Sequence, residues 1–192
     1  KTTAVRAIMA LASHVVPIMA GEDFPKKRRS PVGYILEFED DNNYRKKVFV
    51  PGAYTMTCGG VDTLPTYAVT FGLIKSYYDS GYDVLCEGLI ISHDRKQILA
   101  VWEHIGRKNL TILELTETVE TCINSVSLRR VEKGSAPEFN TQNTVRRHAE
   151  VVRSCQQLEA LGVPIHRVTR AEVVTKVVGL LGLPVPHQEV VA

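Results

Sequence analysis

Between residues 2 and 13 the apolar side chains Val5, Ile8, Met9 and Ala12 recur at intervals of three and four, drawing one stripe down the face of a helix. From His14 to Pro31 the text turns irregular and basic, and "GYILEFED" and "KKVFVPG" then read as two short β segments joined through the turn-rich "DDNN". After the turn "CGG" the pattern becomes regular. It predicts a helix over about 64–79, "DVLCEG" as a buried strand, a helix over about 93–106, "LTILEL" as a second buried strand and a helix over about 117–131. A polar stretch, a long helix near 142–161, the strand "PIHRV" and a last helix near 170–181 follow. Short apolar strands alternating with helices predict a three-layer α/β/α fold with a mainly parallel sheet. Residues 14–50 interrupt that alternation and read as a basic, β-containing insertion within a single domain spanning 1–192. No internal repeat is present.

The 192 residues, 44% of them hydrophobic, are enough to bury a substantial core and exclude disorder as the main theme. No stretch approaches the roughly 18 to 20 uninterrupted apolar residues of a membrane span, nothing resembles a signal peptide, and a cytoplasmic protein is expected. Cys58, Cys86, Cys122 and Cys155 stand singly at wide intervals, which gives no C-x-x-C pair, no zinc spacing and no disulfide framework. Reduced thiols are the expectation. The formal charge is only +2, but it is unevenly spread, with "KKRR" at 26–29, "RKK" at 45–47 and arginine pairs at 129–130 and 146–147. Such clusters are ordinarily solvated faces, and they acquire a use only if the partner is polyanionic.

In open α/β sheets ligands bind beyond the carboxyl ends of the strands, so the residues there are the candidates for chemistry. "DVLCEG" ends on Glu87 and Gly88, and an acid at that place either holds Mg²⁺ beside phosphates or is a solvated strand end. In "TCGGVDTLPTYAV" the adjacent glycines let the backbone approach a ligand, and Asp62 could accept a proton from an attacking hydroxyl. The plainer alternative is that Asp62 or Thr63 caps the helix starting near Leu64. Arg129, Arg130, Arg146 and Arg147 bracket a Gly/Ser/Pro-containing loop, which suits either a lid over a nucleotide at about 129–147 or an exposed hairpin with basic ends. In "VPIHRVTRAEVV" Thr169 could cap the last helix, and His166 or Arg167 could face a nucleotide base. No Ser/His/Asp arrangement, H-E-x-x-H or EF-hand loop supports a hydrolase or a metalloprotein instead. The opening "KTT" matches the end of the G-x-x-x-x-G-K-[ST] phosphate loop, but Lys-Thr-Thr also turns up by chance in many unrelated chains, so by itself it is a weak signal.

The order of these features resembles the P-loop kinases of the nucleoside and nucleotide kinase type: "KTT" opening a helix, Asp62 before a regular helix, "CEG" closing a strand, arginine pairs around a lid and a final strand-loop-helix. The resemblance covers nearly the whole chain except 14–50. Within that group, "GGVDTLPTY" followed by "GYDVLCEGLIIS" is similar to the bacteriophage P-loop kinases that phosphorylate 5-hydroxymethyluracil in DNA, a step toward hypermodified thymidines. It implies ATP and Mg²⁺ as cofactors and, for a viral protein, the host cytoplasm. Lys1 would contact the β- and γ-phosphates, Thr2 would ligate Mg²⁺ and Thr3 would continue the end of the loop. A short apolar strand and a glycine-rich turn are expected before Lys1.

The same resemblance makes Asp62 the base or acceptor-positioning residue, Glu87 the metal-side carboxylate and Arg129 and Arg130 lid arginines, with Arg130 and Arg167 also at the nucleotide. With DNA as acceptor, Lys26, Lys27, Arg28 and Arg29, together with "RKK" at 45–47, would grip phosphates, and Tyr54 or Tyr67 would stack on a flipped base. Two alternatives stand beside this reading. One is a kinase of a free nucleoside, nucleotide or small metabolite; the other is a non-catalytic nucleic-acid-binding protein on a degenerate P-loop scaffold.

Overall fold

The computed structural model describes residues 1–22, 24, 29–39, 44–55, 59–88 and 94–184. Along the chain these form α1 (Thr2–Leu11), β1 (His14–Ile18), β2 (Gly33–Glu39), β3 (Arg45–Pro51), a 3₁₀ turn (Val61–Thr63), α2 (Tyr67–Asp79) and β4 (Asp83–Val84). There follow α3 (Arg95–His104), β5 (Ile112–Leu115), α4 (Val119–Glu132), α5 (Gln142–Ala160), β6 (Ile165–Val168) and α6 (Val173–Leu181).

The strands form one four-stranded sheet in the order β1-β2-β3-β4 and a separate parallel pair, β5-β6. In the larger sheet β1–β2 and β2–β3 are antiparallel and only β3–β4 is parallel, which corrects the expectation of a mainly parallel sheet. The cause is local: the short connection between β2 and β3 permits only a hairpin, whereas parallel strands need a long crossover. A second correction concerns His14–Ile18, read from sequence as irregular. It is an edge strand with Val15 and Val16 exposed and Pro17 beside its last residue, so it lacks the alternation that marks a half-buried strand. "DVLCEG" is a strand only at Asp83–Val84, and β5 is half-buried along its length where a buried strand was expected.

The stretch 14–50 therefore supplies the larger part of the sheet, and with it much of the core. Tyr34, Leu36 and Phe38 of β2 and Val48 and Val50 of β3 pack on one face against Val5 and Ile8 of α1 and Val173 and Val177 of α6. Phe49 points the other way, and its ring stacks on Tyr77 of α2 at 3.6 Å between centroids and 5° between planes. On that side Phe71 and Ile74 of α2, Ile98, Val101 and Trp102 of α3 and Leu158 of α5 form a second core. The small pair divides in the same way, with Leu113, Leu115 and Val168 joining the first core and Ile112 and Ile165 the second. Helices thus cover both faces of the strands, as the period-2 alternation of apolar positions requires.

Helix starts follow side-chain capping. Thr66 Oγ1 accepts the Val69 N–H at 3.2 Å and so caps α2, a role the sequence had offered to Asp62 or Thr63. Before α6 the Glu172 carboxylate accepts both the N–H and the hydroxyl of Thr169 at 2.9 Å, which is half of a capping box.

The basic run 45–47 is spent within the sheet. Arg45 pairs with Glu39 at 3.1 Å, Lys46 with Asp83 at 2.7 Å and Lys47 with Glu37 at 2.6 Å. Glu39 and Glu37 are the direct cross-strand partners of Arg45 and Lys47, so these charges face neighbouring carboxylates, where DNA phosphates had been expected. The Lys47 hydrogen bond also holds the Glu37 carboxyl below its ordinary range. Among the described residues no helix is long and apolar enough to cross a membrane.

Removing the ring that joins β3 to α2 should be expensive. Phe49→Ala is expected to lower the free energy of unfolding by about 3–5 kcal/mol in urea denaturation. Leu128→Ala, at a side chain 66% exposed on α4, should stay within about 0.5 kcal/mol of the wild type.

Candidate active site

The first turn of α1 is held by side chains spaced one helical turn apart. Thr2 Oγ1 donates to Glu87 Oε1 at 2.7 Å, and Arg6 donates from Nε and Nη2 to the Tyr54 carbonyl at 3.3 and 2.9 Å. Residues four apart share a helix face, so one face of α1 is fixed to two separate segments of chain. Among the described residues no side chain caps the start of this ten-residue helix, which leaves its leading N–H groups for another acceptor.

Beneath that helix lies a floor made possible by glycine. Gly60 adopts φ +82°, and a Cβ there would collide with the Glu87 carbonyl and sit 2.7 Å from Glu87 Oε1. The absent side chain lets the Val61 N–H donate to the Glu87 carbonyl at 3.1 Å. Gly60 N–H in turn donates to the Ala53 carbonyl at 3.1 Å, while Thr63 Oγ1 accepts from Ala53 N–H and donates to the Gly60 carbonyl, both at 2.8 Å. At Gly88 a Cβ would lie 2.9 Å from Asp62 Oδ1. The two carboxylates therefore lie beside these glycines, Asp62 exposed against Gly88 and Glu87 half-buried against Gly60.

Burial pushes the Glu87 carboxyl above its ordinary range; the Thr2 hydrogen bond and the Lys1 charge oppose this, and Asp62 adds to it. Burial likewise pushes the Cys86 thiol up, with Glu87 adding to it, so this cysteine stays protonated and unreactive. A hydroxyl and a carboxylate in contact, with a second carboxylate beside them, are an oxygen donor set of the kind Mg²⁺ accepts. Among the described residues no group of three or more His, Cys, Asp or Glu could hold a metal.

Over 166 residues the chain is 28% identical to the 5-hmdU DNA kinase of Pseudomonas phage PaMx11, an alignment covering 86% of this chain and 82% of that protein. The chain is a distant homologue of that kinase. No family model matches it, and no solved structure does.

The residues that sequence singled out in this kinase homologue fall into different places. Lys1, Thr2, Asp62 and Glu87 gather at the glycine floor, with the Lys1 charge reaching Glu87. Thr3 is exposed on α1. Arg129 lies within electrostatic reach of the Lys1 main-chain nitrogen, its Nε donating to the Ser125 carbonyl at 3.0 Å. Arg130 is engaged at the α4–α5 turn, donating to the Ala136 carbonyl at 2.8 Å with its guanidinium 5.8 Å from the Phe139 ring centre. Arg167 forks onto Glu159 at 3.0 and 2.7 Å and meets Glu114 at 3.2 Å, so carboxylates occupy the fork expected at a nucleotide.

Tyr54 is 6% exposed, its ring tilted 65° to that of Tyr34 with the centroids 6.1 Å apart, and a buried ring offers no face to a base. This corrects the stacking role given to it. Tyr67, 45% exposed, does present its ring. Arg29 is exposed, whereas Lys26, Lys27 and Arg28 lie outside the described residues.

Sequence reasoning missed Arg170. It also reaches the Lys1 nitrogen, donates to Ser125 Oγ at 2.9 Å and pairs with Glu117 at 3.2 Å. The available signal was position, since Arg170 lies just beyond the carboxyl end of β6, where ligands of such folds are met.

Two outcomes test this floor. Gly60→Ala, forced to a positive φ and onto Glu87, should lose at least about 1–3 kcal/mol of stability in urea, while Gly72→Ala, with open space around it on α2, should gain about 0.5–1 kcal/mol. The second is a pH effect. The raised carboxyl of Glu87 contributes stability that is complete below its ordinary value of 4.5 and is lost as pH rises through the folded value. Glu87→Gln, uncharged throughout, should therefore melt above the wild type near pH 7, and the difference should close toward about pH 4 in thermal scans.

Proposed function

We propose that the chain transfers the γ-phosphoryl group of ATP to the hydroxyl of 5-hydroxymethyluracil in DNA, on a P-loop kinase fold. The observation that carries this reading is the Thr2–Glu87 contact at 2.7 Å at the start of α1 with Asp62 beside it. The distant homology to a 5-hmdU DNA kinase supports the choice of acceptor.

When bound, ATP would supply the phosphoryl group and Mg²⁺ the positive charge that offsets its negative oxygens. Thr2 and Glu87 would hold the metal ion. Lys1 and the uncapped N–H groups of α1 would hold phosphate oxygens, because a helix start concentrates unpaired donors and the positive end of the dipole. Asp62, exposed beside Glu87, takes the proton of the acceptor hydroxyl, a poor nucleophile unless so assisted. Arg129 and Arg170, the guanidinium groups that reach Lys1, counter the negative charge that gathers there. On the DNA side the exposed Arg29 and Tyr67, with Lys26, Lys27 and Arg28 of the same basic run, are the groups proposed to meet phosphates and the displaced base.

A second reading, a free nucleoside or nucleotide as acceptor, draws on the ion pairs that neutralise Arg45, Lys46 and Lys47 and so remove one grip on DNA. Incubation with γ-labelled ATP and Mg²⁺ separates the two. Label should enter hydroxymethyluracil-containing DNA and leave ordinary DNA and free nucleosides untouched; equal labelling of free 5-hydroxymethyldeoxyuridine would remove DNA from the proposal. Asp62→Asn should lower kcat by roughly 10²- to 10⁴-fold. Full turnover by both Asp62→Ala and Glu87→Ala would remove the site.

A further inference from the structure

Tyr54 sits where the two fixings of α1 converge. Its carbonyl takes both bonds from Arg6, and its N–H reaches the Tyr34 hydroxyl at 3.5 Å. Its own hydroxyl is different: it is buried and has no hydrogen-bond partner among the described residues. A buried hydroxyl left unpaired destabilises the chain, and a phenylalanine would fill the same space without that cost.

The place of this hydroxyl is informative. Burial above all, and then the charges of Glu87, Cys86 and Asp62, push the phenol far above its ordinary range, with Arg6 alone opposing. The group therefore remains a donor at every working pH, set near two carboxylate acceptors. Gly59 crowds the ring from the other side, since a Cβ there would lie 3.0 Å from Tyr54 Cδ1 and 3.2 Å from Thr2 Cγ2. Thr2 holds only one oxygen of Glu87, and a carboxylate held at one point still turns about that bond. A second donor defines its plane.

We propose that Tyr54 is a positioning residue whose hydroxyl, unpaired in the free chain, becomes the second donor to the Glu87 carboxylate when a metal-nucleotide occupies the site. This inference rests on the nucleotide reading given above. The unpaired hydroxyl is a cost carried by the free chain and recovered on binding, so ligand affinity and intrinsic stability are set against each other at one atom.

Tyr54→Phe tests the pairing. Without ligand its thermal midpoint should equal or exceed that of the wild type, because the ring contacts remain and an unpaired buried polar atom is gone. Its affinity for Mg²⁺·ADP, by calorimetry, should fall about tenfold, the scale of one hydrogen bond to a charged group. Affinity for ADP in the presence of EDTA should not change. In turnover, KM for Mg²⁺·ATP should rise by a similar factor with little change in kcat, because the bond is made when the metal-nucleotide binds. Tyr34→Phe, which keeps the Tyr54 hydroxyl, should bind Mg²⁺·ADP as the wild type does. A ligand-free Tyr54→Phe that melts below the wild type makes the hydroxyl structural and overturns the inference, as does undiminished Mg²⁺·ADP affinity. Absence of any Mg²⁺·ADP binding by the wild type would instead overturn the nucleotide reading together with it.

Discussion

The Val61 N–H reaches the Glu87 carbonyl at 3.1 Å because Gly60 has no side chain to occupy the space between the two segments. From that approach the rest of the site follows. It places the carboxylates of Glu87 and Asp62 over one floor, brings the 52–54 segment under α1 through the Gly60–Ala53 bond and leaves room for Thr2 to reach Glu87. A methyl group at position 60 would separate all of these at once, since a protein interior cannot absorb even one added carbon without displacement.

The floor is held against a rigid body. Val5 and Ile8 anchor α1 in the core shared with β2, β3 and α6, so Thr2 and Arg6 project from a helix whose opposite side is locked. The first turn gains precision from the packing of the second and third. The site itself carries costs that the core must cover: a carboxyl raised by burial and a phenol with no partner, both at the same few residues. Groups held at a disadvantage in the free protein are the ones whose energy a ligand can recover.

Charge is distributed by the same logic of neighbours. The run Arg45-Lys46-Lys47 is matched by carboxylates on adjacent strands, and Arg167 is closed by Glu114 and Glu159. Arg129 and Arg130, adjacent in sequence, diverge around a helix by about 100°. One comes within reach of Lys1, and the other turns to the Phe139 ring at the hairpin. A net charge near zero therefore conceals a local field assembled from Lys1, Arg129 and Arg170 against Glu87 and Asp62.

Periodicity alone determined the helices and the β2–β3 hairpin, because a stripe of apolar side chains at 3.6 or 2 residues is a local property of the chain. A glycine pair and a strand end, local features as well, singled out Asp62 and Glu87, whereas Thr2 entered only through the resemblance to P-loop kinases. What no local pattern carries is pairing and contact. The antiparallel order of β1–β3, the edge strand hidden in 14–18 and the matching of 45–47 with Glu37, Glu39 and Asp83 depend on which strands meet. The burial of Tyr54 is of this kind too: an aromatic in a loop reads as a candidate for stacking until Tyr34, Gly59 and Arg6 close around it. Arg170 enters the site for the same reason, brought by the parallel β5–β6 pair to the turn that faces Ser125 and Lys1. The chain wrote its elements into sequence spacing, and tertiary structure decided which side chains those elements left facing one another, because that depends on distances across the fold rather than along it.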